Sequence, residues 1–202
     1  TEASKVIDAQ GKYIAPGFID PHSHGDMTIL KWPQNENYIM QGVTTIVAGN
    51  CGYFPAPIKD VYQFSLWESK AMYNVEPSYM GFLKWQFDLE KSKKAIKEVY
   101  DIDIDWSTVD EYLSKIENEK ISVNLCPVVG HNAIRTAVMG YDCARPAKPE
   151  EIDEMKRLLR EAINDGVIGM TVGLDYHPGM FATTEELKEL AKVLKEHDLL
   201  YT

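Results

Sequence analysis

The 202 residues suffice for one sizeable core, or for one domain and part of another. Lys and Arg number 21 against 31 Asp and Glu, giving a formal net charge of -10 and a pI near 5.0, a balance that repels phosphate backbones and excludes nucleic acid as a natural partner. No apolar run approaches the roughly 18 to 20 residues of a membrane span, no signal peptide is visible after Thr1 unless a cropped N-terminus hides one, and three irregularly spaced cysteines argue for a reducing, cytoplasmic setting rather than a disulfide framework.

Val6-Ile7-Asp8 and Tyr13-Ile14, on either side of Gln10-Gly11-Lys12, read as two short strands around a turn in which Gly11 supplies backbone freedom. An apolar run, Gly17, Phe18 and Ile19, then stops at Asp20-Pro21, and His22 and His24 follow with one residue between them. In extended backbone successive side chains alternate between faces, so the two imidazoles point the same way and can grip one ion. Alone, such a pair is weakly diagnostic, because surface histidines need no ligand and imidazole suits zinc, copper, iron and nickel alike. Its place directly after a buried-looking strand is where parallel α/β barrels carry their chemistry.

Pro33 to Met40 reads as a loop giving way to a short helix ended by Gly42, and Val43 to Ala48 is a β-branched run of the kind buried on both faces of a parallel sheet. Gly49-Asn50-Cys51-Gly52 then brings Cys51 to the rim that carries His22 and His24, where a thiolate is a good zinc ligand; the competing reading is a small buried residue filling space. Tyr53 to Asp105 shows no clean strand alternation and many aromatics, including Trp67, Tyr73, Tyr79, Phe82, Trp85 and Phe87. A lid, an oligomer contact and plain helical packing are all open there, and no residue draws a catalytic role. Within it, Leu89 to Tyr100 carries lysines and glutamates at helical spacing, a solvated face.

Trp106-Ser107 reads as the start of a helix capped by Ser107, with Val109, Tyr112, Leu113 and Ile116 on its apolar face. Val123 to Val129 is a third strand with Cys126 in the core, ending in Gly130-His131. His131 is open between a substrate or supporting contact and a structural hydrogen-bonding role, and Arg135 reads as a loop salt bridge in preference to a partner for a substrate carboxylate. Pro149-Glu150-Glu151 opens an amphipathic helix facing inward with Ile152, Met155, Leu158, Leu159 and Ile163 and stopped by Gly166, while Cys143 before it looks incidental. Gly169 to Leu174 is a fourth strand, followed by Asp175-Tyr176-His177-Pro178-Gly179. Tyr176 either hydrogen-bonds a substrate or packs under the loop, and His177 reads as rim or surface. Thr183 to Glu186 caps a last helix facing inward with Leu187, Leu190, Val193 and Leu194, and a fifth strand starts at Leu199.

Four of these segments resemble one family. IAPGFIDPHSHGD resembles the opening strand of the amidohydrolase superfamily, metal-dependent hydrolases built on a (β/α)8 barrel. QGVTTIVAGNCG resembles the second-strand motif of the N-acyl-D-amino-acid deacylases, or D-aminoacylases, in which a cysteine takes the metal where most other amidohydrolases use a carboxylated lysine on strand four. VGHNAIRTAVMG is similar to the family's G-H-x-x-L-R segment with Ile134 for the leucine, and GLDYHPG to its STGLxYxPG segment, whose tyrosine lies at the substrate pocket.

The resemblance implies an α/β chain: a partial (β/α)8 barrel with strands one to four and the start of five over residues 16–202, a long insertion at about 53–105, and residues 1–15 as the edge of a small flanking β-sandwich. It implies one tight zinc site that includes Cys51, with His22 and His24 serving a weaker second position, and Tyr176 and His131 as substrate contacts. Two further histidines and a general acid–base aspartate would lie beyond residue 202. Because a complete barrel needs roughly 250 residues, the chain is expected to be incomplete and inactive alone. The implied reaction is hydrolysis of a small N-acyl-D-amino acid to a carboxylate and a free D-amino acid, with oligomeric state open. Two alternatives stand beside it: a cyclic-amide hydrolase of the dihydroorotase or dihydropyrimidinase type, which would carry a lysine that Gly169 to Leu174 lacks, and a non-catalytic barrel used for binding or assembly.

Overall fold

Parallel strands alternate with helices along the chain. The computed structural model describes residues 4–63 and 86–202. Strands β1 (Phe18–Ser23), β2 (Val43–Ala48) and β5 (Asn124–Pro127) form one parallel sheet in that order, and β6 (Val129–Gly130), β7 (Gly169–Thr171) and β8 (Leu200–Tyr201) form a second. The two sheets are joined where Pro127 interrupts the third strand. Proline has no N–H to donate, yet its carbonyl accepts from Ile168 at 2.9 Å and the next residue, Val128, donates to Ala48 at 2.9 Å. Backbone bonding therefore passes from β2 through residues 127–128 to β7, and Val123 to Val129 is one strand in direction but two in hydrogen bonding. β3 (Val61–Gln63) and β4 (Gln86–Asp88) form a separate antiparallel pair within the region expected to lack strands.

The helices are α1 (Glu36–Ile39), α2 (Leu89–Tyr100), α3 (Val109–Glu119), α4 (His131–Met139), α5 (Pro149–Asn164) and α6 (Thr184–Glu196). α3 buries Val109, Tyr112 and Ile116, α5 buries Met155, Leu158, Leu159 and Ala162, and α6 buries Leu190, Val193 and Leu194. These faces meet Ile46, Ala48, Val129 and Met170 from the strands in one apolar core. Among the described residues no helix is long and apolar enough to cross a membrane.

Several expectations are corrected locally. The α3 cap is Thr108, one residue after Ser107: its hydroxyl accepts from Glu111 N–H at 3.2 Å, and the Glu111 carboxylate takes the N–H groups of Ser107 and Thr108 at 2.6 and 3.0 Å. Trp106 is buried before the helix, donating through its indole N–H to Pro55 at 2.9 Å. β1 runs through Asp20-Pro21, and the register with β2 slips between Asp20 and Ser23, where a residue without an N–H breaks the ladder. Residues 4–15 contain the turn at Gly11, with Lys12 N–H on Ala9 O at 2.9 Å, but no strand: Val6, Ile7, Tyr13 and Ile14 are exposed, with no neighbouring strand to pair with among the described residues. The aromatics Trp67, Tyr73, Tyr79, Phe82 and Trp85 lie outside the described residues.

Candidate metal centre

Two loops at the C-terminal ends of adjacent strands make the site. β1 ends at Ser23, whose side chain turns into the interior, where its Oγ accepts from Gly25 N–H at 2.8 Å and shares a 2.6 Å hydrogen bond with the Tyr38 hydroxyl. The flanking His22 and His24 face the other way, as alternation requires. Their rings meet edge to face at 5.8 Å between centroids.

Beyond β2, the chain turns through Gly49, Asn50, Cys51 and Gly52. Gly49 (φ 103), Cys51 (φ 57) and Gly52 (φ 78) all occupy positive φ, so this turn suits glycine and holds one non-glycine residue in a conformation L side chains rarely adopt. The turn is tied to β1 by Asn50, whose side-chain amide donates to Ser23 O at 3.2 Å and Val47 O at 2.9 Å. As a result Cys51 Sγ comes within 3.5 Å of His22 Nε2, and the donor atoms of His22, His24 and Cys51 all lie within 4.8 Å of one another.

That donor set suits a divalent ion of zinc type: two imidazoles and one thiol, partly open to solvent and converging from three positions. Burial pulls His24 below the ordinary imidazole value, and neighbouring His22 adds to it, which keeps the ring in the neutral form that ligates. Burial pushes the Cys51 thiol up. Without a cation beside it the sulfur holds its proton; a metal would displace that proton.

Tyr53 and Tyr176 close one side. The Tyr53 ring lies 6.5 Å from that of His24 and 5.4 Å from that of Tyr176, and burial, followed by the neighbouring Tyr176 and Cys51, pushes the Tyr53 phenol well above its ordinary value. Tyr176, half-buried, thus stands one ring away from the histidines. Tyr53 is a site residue that sequence reasoning passed over, its only local signal being a place directly after Cys51-Gly52.

His131 joins a different, enclosed cluster. It is 0% exposed at the start of α4, with its ring Nε2–H donating to Glu186 at 2.8 Å, while the other Glu186 oxygen accepts from the Arg135 guanidinium. Arg135 also donates to the carbonyls of Cys143, at 3.2 Å, and Arg145. His177, expected at the rim, is buried instead, edge-on to Phe181 at 5.6 Å between ring centroids. Burial, then the Arg135 charge, lowers its affinity for a proton.

The Amidohydrolase family model matches residues 5–199. A D-aminoacylase of Alcaligenes xylosoxydans xylosoxydans is 33% identical over 195 residues, covering 96% of this chain and 34% of that protein. Among solved structures, an N-acyl-D-glutamate deacylase from Bordetella bronchiseptica, complexed with zinc and a phosphonate mimic of the tetrahedral intermediate, superposes with a TM-score of 0.72 at 29% identity over 96% of this chain and 35% of that one. A D-aminoacylase described with a binuclear metal centre superposes with a TM-score of 0.68 at 32% identity, covering 92% and 33%. The chain therefore spans about a third of the length of the relatives it matches, and that third includes the strands that carry His22, His24 and Cys51. By the match along nearly its whole length, this chain belongs to the amidohydrolase family.

Proposed function

We propose that the full-length protein hydrolyses the amide bond of N-acyl-D-amino acids at a zinc centre built on His22, His24 and Cys51. The observation that carries this is the convergence of those three donors within 4.8 Å at the ends of adjacent parallel strands. Relatives of this architecture at about 30% identity include a D-aminoacylase and a zinc-bound N-acyl-D-glutamate deacylase, which supports the substrate class. The parallel strands and their helices would then be the first part of a (β/α)8 barrel, with residues 4–15 leading in from a flanking sandwich.

Bound zinc supplies Lewis acidity, polarising the scissile carbonyl and bringing the pKa of water toward about 7. Cys51 would belong to the tight site, and His22 and His24 to a weaker second one. The chain's own residues shape the rest of the pocket. The neutral His24 ring would offer a lone pair, the Tyr53 ring would exclude water from one wall, and the Tyr176 phenol, one ring away, would hydrogen-bond the substrate. His131, fully enclosed against Glu186, would serve as a support within the fold in preference to a substrate contact. β7 carries Gly169, Met170 and Thr171 and no lysine, so the cysteine is the residue available to do what a carboxylated lysine does in a cyclic-amide hydrolase.

The test is metal content and turnover of the full-length protein, wild type beside Cys51→Ala. Near-stoichiometric zinc with release of amine from N-acetyl-D-amino acids, both falling by at least about 100-fold in the variant, is expected. A variant that keeps its zinc, or a wild type that turns over dihydroorotate or a hydantoin and ignores N-acyl-D-amino acids, overturns the proposal.

A further inference from the structure

Cys51 is held in an unfavourable conformation, and one buried hydroxyl closes the turn that holds it. Thr171, the last residue of β7, is fully enclosed. Its Oγ1 donates to Gly49 O at 2.6 Å and accepts from Gly52 N–H at 3.0 Å. A hydroxyl has one proton to give and lone pairs to receive, and here both capacities are spent on the two residues that bracket Asn50-Cys51. Those bracketing residues and Cys51 itself are the three positive-φ positions of the turn. The partners are 122 and 119 positions away in sequence, so the bridge is a tertiary device that no local propensity supplies.

The surroundings press the turn from the same side. Asn132 N–H donates to Gly52 O at 3.1 Å, and a Cβ at Gly173 would collide with the Cys51 carbonyl oxygen. Valine is close to threonine in shape but can neither donate nor accept, leaving both backbone groups unpaired in a sealed interior. We infer that Thr171 is a positioning residue for the metal centre: its hydroxyl clamps Gly49 to Gly52 and thereby sets the direction of the Cys51 thiol toward His22. The inference rests on the metal reading above, and it assigns to β7 a part in that centre without contact with metal or substrate.

The experiment loads the full-length protein with Co(II) in place of zinc and compares wild type, Thr171→Ser, Thr171→Ala and Cys51→Ala. Serine keeps the hydroxyl and alanine removes it, and neither adds volume. Wild type and Thr171→Ser should show thiolate-to-cobalt charge-transfer absorption and chelator-competition affinities within about threefold of each other. Thr171→Ala should lose about 10- to 100-fold in affinity and have the band weakened or shifted, with circular dichroism unchanged. Should Thr171→Ala fail to fold, Thr171→Cys takes its place, since a thiol is a weak donor in the same position. Equal affinity and equal bands in the serine variant and its hydroxyl-free or weak-donor partner overturn the positioning role while leaving the metal reading intact. A wild-type protein without a charge-transfer band, or one whose band survives in Cys51→Ala, overturns the metal reading and this inference with it.

Discussion

Glu186 sits in the first turn of α6 with its two carboxylate oxygens divided between His131 and Arg135, all three side chains fully enclosed. Burial pushes the Glu186 carboxyl up, but the hydrogen bonds from His131 and Arg135 and the nearby Arg135 charge outweigh it, and the net shift is downward. The ionised form is thus the native one. Replacing it with glutamine would strand the guanidinium of Arg135 without a counter-charge, a loss of about 3–5 kcal/mol for a broken buried pair. Thermal unfolding of full-length Glu186→Gln should therefore drop by a few degrees, whereas an unchanged midpoint would show that backbone carbonyls alone satisfy Arg135. At this same scale the limits of the sequence are visible. The facing of His22 and His24 follows from strand alternation, and the approach of Cys51 from the glycines around it. That Arg135 pairs with a residue 51 positions away, or that Tyr53 stacks beside Tyr176, depends on contacts between distant elements, which no spacing rule records.

At the scale of elements, most helices were legible because their apolar residues repeat at the helical period, and α2, α5 and α6 begin where their lysine and glutamate faces, proline or threonine signals place them, whereas α4, where Arg135 read as a loop ion pair, was not expected. Strand ends were less so: the fourth strand stops short of Leu174, its last ladder bond running from Val172 N–H to Thr202 O at 2.8 Å, and Gly173 then passes against the Cys51 turn. One element start titrates. Ahead of α5, the Arg145 fork donates to both oxygens of Glu151 at 2.8 and 2.6 Å, and Lys148 N–H adds a third bond at 2.7 Å. The Arg145 contact is the main reason that the Glu151 carboxyl falls from 4.5 to about 2. A carboxyl whose folded value is depressed contributes stability that is complete above its unfolded value and fades as pH falls toward the folded one. Acid unfolding should accordingly be less steep in Glu151→Gln than in wild type between about pH 5 and 2, with the variant already less stable at neutral pH. Parallel curves for the two proteins across that window would show that the fork adds nothing to folding.

On the scale of the whole molecule, five strand positions run parallel in sequence order, from β1 through β2, the broken third strand and β7 to β8, and the two outermost keep apolar side chains in the open. Phe18 and Ile19 of β1 are 62% and 64% exposed, and Leu200 and Tyr201 of β8 are 55% and 44% exposed. Parallel sheets are ordinarily covered on both faces, and an uncovered strand edge is a template for pairing with another chain. The 202 residues also span only 34% of the D-aminoacylase that they resemble, so in that relative most of the chain is available to cover such edges. Expressed alone, this segment should associate in a concentration-dependent way in sedimentation experiments, release no amine from N-acyl-D-amino acids, and hold zinc far more weakly than the full-length protein, since the three donors brought together among the described residues leave an incomplete shell. Association without turnover is the outcome that the exposed edges and the partial donor set require together. A monodisperse monomer would mean that residues 1–202 cover their own edges, and turnover by that monomer would place the whole catalytic apparatus within them.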